Sequence, residues 1–238
     1  MRITPILGIA FALALGACAD VASCLVHDGA EQQPCVSRAI QYTSAPVQAD
    51  PGRVVPIHID QTFNIYERAK ILRAVNEWNV VLNGQVRLEV SPSMFDATPY
   101  LAAGARRPEG WIVAKIDSRS PIIGNSAMNR ALAVTVGTRR AIVYVVADRL
   151  GSRDLSGIMM HEFGHAFGAS HDAGSQLMHP YYTGDKQRCI DKGAVRAVAA
   201  AQNLDLGRLN WCLGSGERTN VADAPKATRG ALTAIRTR

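Results

Sequence analysis

The sequence predicts an α+β fold in which helices pack against a mixed, twisted sheet. Short apolar stretches typical of strands occur at residues 54–59, 86–90, 111–116, 131–136 and 141–146. Helical patterns occur at 66–82, 154–168 and 192–202. Their order is strand, helix, several strands, helix, loop, helix. The 238-residue chain is 47% hydrophobic and 19% charged, which is typical of a globular protein with one core.

The first two elements are a strand and a long helix. Residues 54–59 (VVPIHI) contain Pro56, which cannot donate a backbone hydrogen bond, so we expect an edge strand or a strand start. Residues 66–82 carry apolar residues at helical spacing, followed by the helix-ending pair Asn83-Gly84. The predicted buried stripe is Ala69, Leu72, Val75, Trp78 and Val81 or Leu82.

Four more strands are expected in the middle of the chain. Residues 86–90 (VRLEV) alternate apolar and polar side chains, and residues 111–116 (WIVAKI) are mostly apolar. Residues 131–136 and 141–146 flank Gly137-Thr138-Arg139-Arg140. We expect these last two strands to pair with each other across that turn.

The remaining elements are two helices. Asp154 is a good N-cap for a helix that continues to Phe167 and ends at Gly168, where glycine permits a left-handed turn. Residues 192–202 (KGAVRAVAAAQ) form the expected C-terminal helix.

The N-terminus has the layout of a secretory signal. Arg2 precedes an apolar run at 6–15 (ILGIAFALAL) that is too short for a transmembrane helix. Leu-Gly-Ala-Cys at 15–18 resembles the bacterial lipobox, in which Cys18 would be lipidated, whereas Ala-Cys-Ala at 17–19 fits cleavage before Asp20. We favour the lipoprotein, and we therefore expect export to the bacterial outer membrane or cell surface rather than free secretion.

These features divide the chain into four parts. We expect residues 1–18 to be the signal and lipobox, 19–50 a loose segment, 51–213 the folded domain and 214–238 a flexible basic tail. The net charge of +6 is spread along the chain, and the tail carries no aromatic residues, so nucleic-acid binding is not expected. We expect a monomer whose only membrane contact is the lipid anchor.

Apart from Cys18, which is either lipidated or removed, four cysteines remain after either cleavage: Cys24, Cys35, Cys189 and Cys212. An even number in an exported chain predicts two disulfides. Three pairings are possible. Proximity in sequence favours Cys24–Cys35 and Cys189–Cys212, the second of which would bracket the C-terminal helix.

Residues 161–172 (HEFGHAFGASHD) predict a catalytic zinc site. Because residues four apart lie on one helix face, His161 and His165 can direct both imidazoles at one ion, and a turn at Gly168 lets His171 supply the third. Three histidines leave one tetrahedral position for water. Glu162 can then act as the general base that accepts a proton from this zinc-activated water.

The pattern HExxHxxGxxHD followed by a methionine resembles that of the metzincin zinc peptidases, and Met-x-Pro-x-Tyr at 178–182 most resembles the matrixins. The resemblance implies a metzincin-like fold with an active-site helix and one catalytic Zn²⁺. It also implies that Met178 forms the Met-turn beneath the zinc and that Tyr182 helps to wall the substrate pocket. By the same resemblance, a protein or peptide substrate lies extended along a sheet edge, for which 131–136 is the candidate.

Two other functions stay open at this point. One is a zinc-binding surface lipoprotein with a role in adhesion or binding and vestigial activity, and the other is a zinc amidase acting on a non-protein substrate. Glu162 favours an enzyme, because metal binding alone does not require it. The acidic residues Asp96, Glu109, Asp117 and Asp148 are too scattered to form a recognisable calcium loop, so calcium binding is left open.

Overall fold

A computed structural model describes residues 42–45, 52–102, 104–123, 130–182 and 189–213. The predicted signal and lipobox, with Cys18, lie outside these residues, as do Cys24, Cys35 and the basic tail. No helix in the described part of the chain is long and apolar enough to cross a membrane.

The centre of the fold is a five-stranded mixed sheet with the order β2-β1-β3-β5-β4. β1 (Arg53–Ile59), β2 (Val86–Val90), β3 (Trp111–Ile116) and β5 (Ile142–Val146) are joined by parallel pairings. β4 (Ala133–Val136) pairs antiparallel with β5 and forms one edge. The α+β class, the mixed sheet and the pairing of the last two strands are thus confirmed.

The prediction of an edge strand or a strand start at Pro56 was wrong, because β1 has a neighbour on both sides and Pro56 is its fourth residue. Pro56 is tolerated there because pairing with β3 begins only at Ile57, which lies opposite Trp111. The segment of chain just before β3 comes close to the backbone of Pro56. A Cβ on Gly110 (φ +90°) would lie 2.1 Å from the carbonyl oxygen of Pro56.

The first helix, α1, spans Ile65–Leu82 and begins at a capping box formed by Asn64 and Glu67. It ends at Asn83, whose φ of 47° is left-handed. Its buried residues are Ile71, Ala74, Val75, Trp78, Val81 and Leu82.

Part of the predicted stripe on α1 was therefore wrong, since Ala69 and Leu72 are exposed. Successive steps of three residues turn a helix by about 300° each, so the series beginning at Ala69 drifts around the helix. A series that alternates steps of three and four, beginning at Ile71, stays on one face.

The described residues contain three further α-helices, α2 (Ala147–Leu150), α3 (Leu155–Ala166) and α4 (Lys192–Gln202), and short 3-10 helices at Thr98–Tyr100, Pro121–Ile123 and Leu206–Arg208. The short α2 was not predicted. α1 and α3 pack together on one face of the sheet, where Trp78 donates its indole N–H to the carbonyl of Met160 at 2.9 Å. The other face is covered by side chains from loops, including Phe95, Tyr100 and Ile123.

The segments on either side of α4 are joined by a disulfide between Cys189 and Cys212. The backbone of Cys212 also donates to the carbonyl of Ile190 at 3.0 Å. Residues 42–45 lie alongside this C-terminal segment, with a bridge between Tyr42 and Cys212. The disulfide therefore belongs to the folded unit that carries α3.

Candidate metal centre

Helix α3 carries the whole HExxH pattern, residues 161–165. Its N-cap is Asp154, whose side chain accepts from the backbone N–H of Ser156 at 3.0 Å. Ten of its twelve residues are buried, so packing against the sheet and α1 fixes the rotation of the helix. This rotation places His161 and His165 on one face, with ring centroids 4.6 Å apart.

The turn after α3 brings in the third histidine. Gly168 has a φ of +95°, a left-handed conformation that favours glycine, and its N–H donates to the carbonyl of His165 at 2.8 Å. The chain reverses, and His171 reaches both earlier rings, with centroids 4.6 Å from His165 and 5.3 Å from His161. One nitrogen from each histidine lies within 4.8 Å of the others, and the three could hold a metal ion.

The hydrogen bonds of two of these rings fix which nitrogen faces the centre. Nδ1 of His161 lies 2.6 Å from the carbonyl oxygen of Leu177, and Nδ1 of His165 lies 2.7 Å from that of Ala169. Because a carbonyl only accepts, each Nδ1 must carry the proton. In the neutral rings, each Nε2 then presents a lone pair.

The two Nε2 atoms of His161 and His165 lie 3.0 Å apart. Two facing lone pairs repel each other unless a cation lies between them. Two nitrogens at about 2.05 Å from a tetrahedral zinc ion are about 3.3 Å apart, close to the observed separation. The donor set and its spacing therefore fit zinc, and the backbone carbonyls on Nδ1 supply the orienting contacts usual for metal-bound histidine.

The protein environment keeps these rings neutral. Burial lowers the pKa of His161 to about 4, against the opposing effect of its bond to Leu177, and neighbouring His165 and His171 lower it further. Burial also lowers the pKa of His165. Neutral imidazole is the form that binds metal, so the two helical ligands need lose no proton at neutral pH.

Glu162 lies beside the histidines and is only 6% exposed. Burial raises the pKa of its carboxyl group to about 7, although a hydrogen bond from Thr135 acts in the opposite direction. The hydroxyl of Thr135 lies 2.5 Å from Oε2 of Glu162 and 3.1 Å from its backbone oxygen. A carboxyl with its pKa near neutral is suited to accept and return a proton.

Met178 is fully buried beneath α3. A Cβ on Gly164 would lie 2.5 Å from its sulfur, so the helix can pack this closely only because residue 164 is glycine. The backbone of Met178 accepts from the N–H of Asp172 at 2.9 Å, which ties its loop to the segment next to His171. This position suits the base of the site, although its role as a Met-turn stays a prediction.

Tyr182 is anchored at the opposite end of α3. Its hydroxyl accepts from the backbone N–H of Asp154 at 2.9 Å. Its role as a pocket wall stays a prediction.

A groove of ≈ 490 Å³ runs between edge strand β4 and the histidine cluster. Residues of β4 and its flanks line one side, and Glu162, His165 and His171 are among those that line the other. Sequence reasoning did not identify Thr135, which is 27 residues from Glu162 and became visible only when β4 was placed beside α3. No local motif marks such a contact.

No family model matches the chain, and no curated protein matches it. Among solved structures, 60 chains match. One is metalloproteinase-II from Bacteroides fragilis, at 10% identity and a TM-score of 0.41, with 69% of this chain and 59% of that chain covered. Another is the hatching enzyme HCE-1, a zinc-protease from Oryzias latipes, at 16% identity and a TM-score of 0.34, with 74% and 69% covered. At these TM-scores, the assignment of the site rests on its own residues.

Proposed function

We propose that this protein is a zinc-dependent endopeptidase of the matrixin-like metzincin type. The observation that carries the proposal is the convergence of His161, His165 and His171 beside the buried carboxyl of Glu162. The first two rings already present Nε2 toward a shared centre, with Nδ1 held by backbone carbonyls. The two similar solved structures are themselves described as a metalloproteinase and a zinc-protease.

Zinc held by these residues would polarise a peptide carbonyl and lower the pKa of a water molecule. Glu162 accepts a proton from the attacking water and returns it to the leaving nitrogen. The hydroxyl of Thr135, 2.5 Å from Oε2, restrains the carboxyl group on the groove side. The backbone carbonyls of Leu177 and Ala169 hold the helical histidines in the required tautomer.

The substrate lies along β4. This strand pairs with β5 on one side, so its other side presents backbone donors and acceptors to the groove. An extended peptide can add to such an edge as a further strand. This placement keeps the peptide backbone next to Glu162 and favours a protein or peptide substrate.

Export and lipidation of Cys18 complete the proposal. Replacement of Cys18 by serine is expected to release the protein from the detergent-soluble membrane fraction into the aqueous fraction. Unchanged membrane association of the variant would rule out this anchor.

The main alternative is a zinc-binding surface lipoprotein with vestigial activity. The environment of Glu162 argues against it, because burying a carboxyl group costs free energy and metal binding does not need that residue. A zinc amidase that acts on a non-protein substrate would use the same residues, and substrate profiling separates it from a peptidase.

The deciding experiment compares wild type with Glu162→Gln and, as a control, Glu89→Gln on the exposed part of β2. Glu162→Gln is expected to retain one zinc ion and to lose at least about 10²-fold in kcat/KM, because it removes the general base. The control should match wild type in both measurements. Full activity of Glu162→Gln would contradict the proposed mechanism.

A further inference from the structure

A second cavity lies past the end of edge strand β4. It has a volume of ≈ 440 Å³, and Thr138 lines both this cavity and the groove of the metal centre. Its inner wall includes Trp111, which is 2% exposed and donates its indole N–H to the carbonyl of Thr138 at 2.9 Å. The cavity therefore lies next to the groove, at the end where β4 turns toward β5.

The walls of the cavity are strongly basic. Arg53, Arg139 and Arg140 line it, and the only acidic residue among the described lining residues is Glu109. Within the described ranges, none of these three arginines forms an ion pair, since the observed pairs all involve other residues. The cavity thus concentrates positive charge that has no carboxylate partner in the described part of the chain.

Hydrogen bonds hold two of these guanidinium groups at the cavity. Arg53 donates to the side-chain oxygen of Gln202 at 2.5 Å, and Gln202 is itself fixed by donating to the carbonyl of Phe167 at 2.6 Å. Arg140 donates to the carbonyl of Arg107 at 3.4 Å, and Arg107 donates back to that of Arg140 at 3.2 Å. Each guanidinium has five N–H donors, so most remain available to a ligand.

We propose that this cavity, here called the arginine subsite, binds a carboxylate of the peptide substrate. The proposal rests on the peptidase function proposed above and adds its substrate class: peptides with an acidic group on one side of the cleaved bond. Guanidinium groups suit carboxylates because their planar donors can bind both oxygens.

The spacing along β4 predicts where this acidic group lies. Thr135 contacts Glu162, and Arg139 follows four residues later, beyond the end of the strand. Four fully extended residues at about 3.3 Å each would span about 13 Å, and because the chain turns after Val136 this separation is at most about that value. A peptide extended beside β4 would therefore place its acidic group about three to four residues from the cleaved bond.

The test uses peptides that wild type cleaves in a broad library. Each position is changed in turn to glutamate or glutamine, and every peptide is made with a free and an amidated C-terminus. At a position three to four residues from the cleaved bond, on one side only, glutamate is expected to give a kcat/KM roughly five- to tenfold higher than glutamine. This gain in kcat/KM should be smaller at high salt. If kcat/KM instead depends on the free C-terminus and does not differ between glutamate and glutamine, a side-chain carboxylate is not the ligand and the proposed substrate class is overturned.

The variant for this test is Arg139→Ala/Arg140→Ala. Its control is Arg73→Ala/Arg87→Ala, which removes two exposed arginines from α1 and β2 on other parts of the surface. The ratio of glutamate to glutamine kcat/KM should fall to about one in the first variant and stay at the wild-type value in the control. A ratio that is near one in wild type, or unchanged in the first variant, would overturn the arginine subsite.

Binding to Glu162→Gln protein separates this proposal from the peptidase proposal. Fluorescence anisotropy of a labelled peptide with one glutamate, against its glutamine twin, measures the subsite without cleavage. Glutamate-dependent binding that Arg139→Ala/Arg140→Ala abolishes, together with no cleavage of any library peptide by zinc-loaded wild type, would support the subsite and contradict the peptidase. Cleavage of peptides without any preference for glutamate would support the peptidase and contradict the arginine subsite. Tighter binding of a single-stranded oligonucleotide than of the acidic peptide would overturn a peptide ligand.

Discussion

At the scale of single residues, the metal centre depends on contacts that orient each functional group. The carbonyls of Leu177 and Ala169 fix the protons of His161 and His165 on Nδ1, which leaves both Nε2 lone pairs facing one point. Glu162 is also oriented by a hydrogen bond, which its carboxyl group accepts from the hydroxyl of Thr135 in the edge strand β4. Catalytic groups are efficient when their positions are fixed before the substrate arrives.

Thr135 is accordingly expected to be a positioning residue for Glu162. Thr135→Val keeps the shape of the side chain but removes the hydroxyl, and we expect kcat to fall roughly five- to tenfold with little change in KM. Thr135→Ser restores the hydroxyl and should recover most of kcat. Equal kcat values for the threonine and valine proteins would show that the contact has no role in catalysis.

At the scale of elements, α3 and the turn after it act as one unit. The helix carries two of the three histidines that could hold a metal ion and Glu162, the proposed general base, and Gly168 reverses the chain so that His171 joins them. The sequence alone was sufficient to predict this unit, because its helical spacing and its glycine are local features.

Gly168→Ala tests the turn. Alanine at a φ of +95° is strained by about 1–2 kcal/mol, and its Cβ would lie 3.2 Å from Cβ of Ala201. We expect lower stability and at least about tenfold weaker zinc binding, measured by competition with a chromophoric chelator. Gly104→Ala is the matched control, because Gly104 also has positive φ (+79°) but nothing lies within 4 Å of its added Cβ. It should lose stability only; equal zinc affinities for both variants would contradict the role of the turn.

Other elements were predicted less well, for physical reasons. The buried face of α1 was partly misplaced, because several rotations of an apolar helix fit the sequence and only packing against α3 selects one. The position of β1 inside the sheet was missed, because Pro56 is normally an edge signal and its tolerance depends on where β3 begins. The contact of Thr135 with Glu162 likewise depends on tertiary packing.

At the scale of the whole molecule, the fold sets an edge strand beside the metal-binding helix. The order β2-β1-β3-β5-β4 leaves β4 with one free side, and that side faces the groove. This order could not be read from the sequence, since parallel strands pair over long separations with no local marker. The strand positions could be read, because each strand is a short apolar segment.

The disulfide between Cys189 and Cys212 stabilises the C-terminal part of the fold, where it joins the segments on either side of α4. Its sequence separation is 23, and closing a loop of this size restricts the unfolded chain by about 3 kcal/mol. Cys189→Ser/Cys212→Ser is expected to lower the free energy of unfolding by about 2–4 kcal/mol in urea titration. A reducing agent should destabilise wild type by a similar amount and leave the double variant unchanged. Identical stability of wild type and double variant would contradict a structural role.

The most direct test of the central claim is cleavage of a broad peptide library by purified wild type that carries one equivalent of zinc. Products are identified by mass spectrometry, before and after the metal is removed with a chelator and then restored. We expect cleavage within peptide chains that is lost with the metal and returns with zinc. A protein with stoichiometric zinc at these three histidines that cleaves no peptide would contradict the assignment as a peptidase.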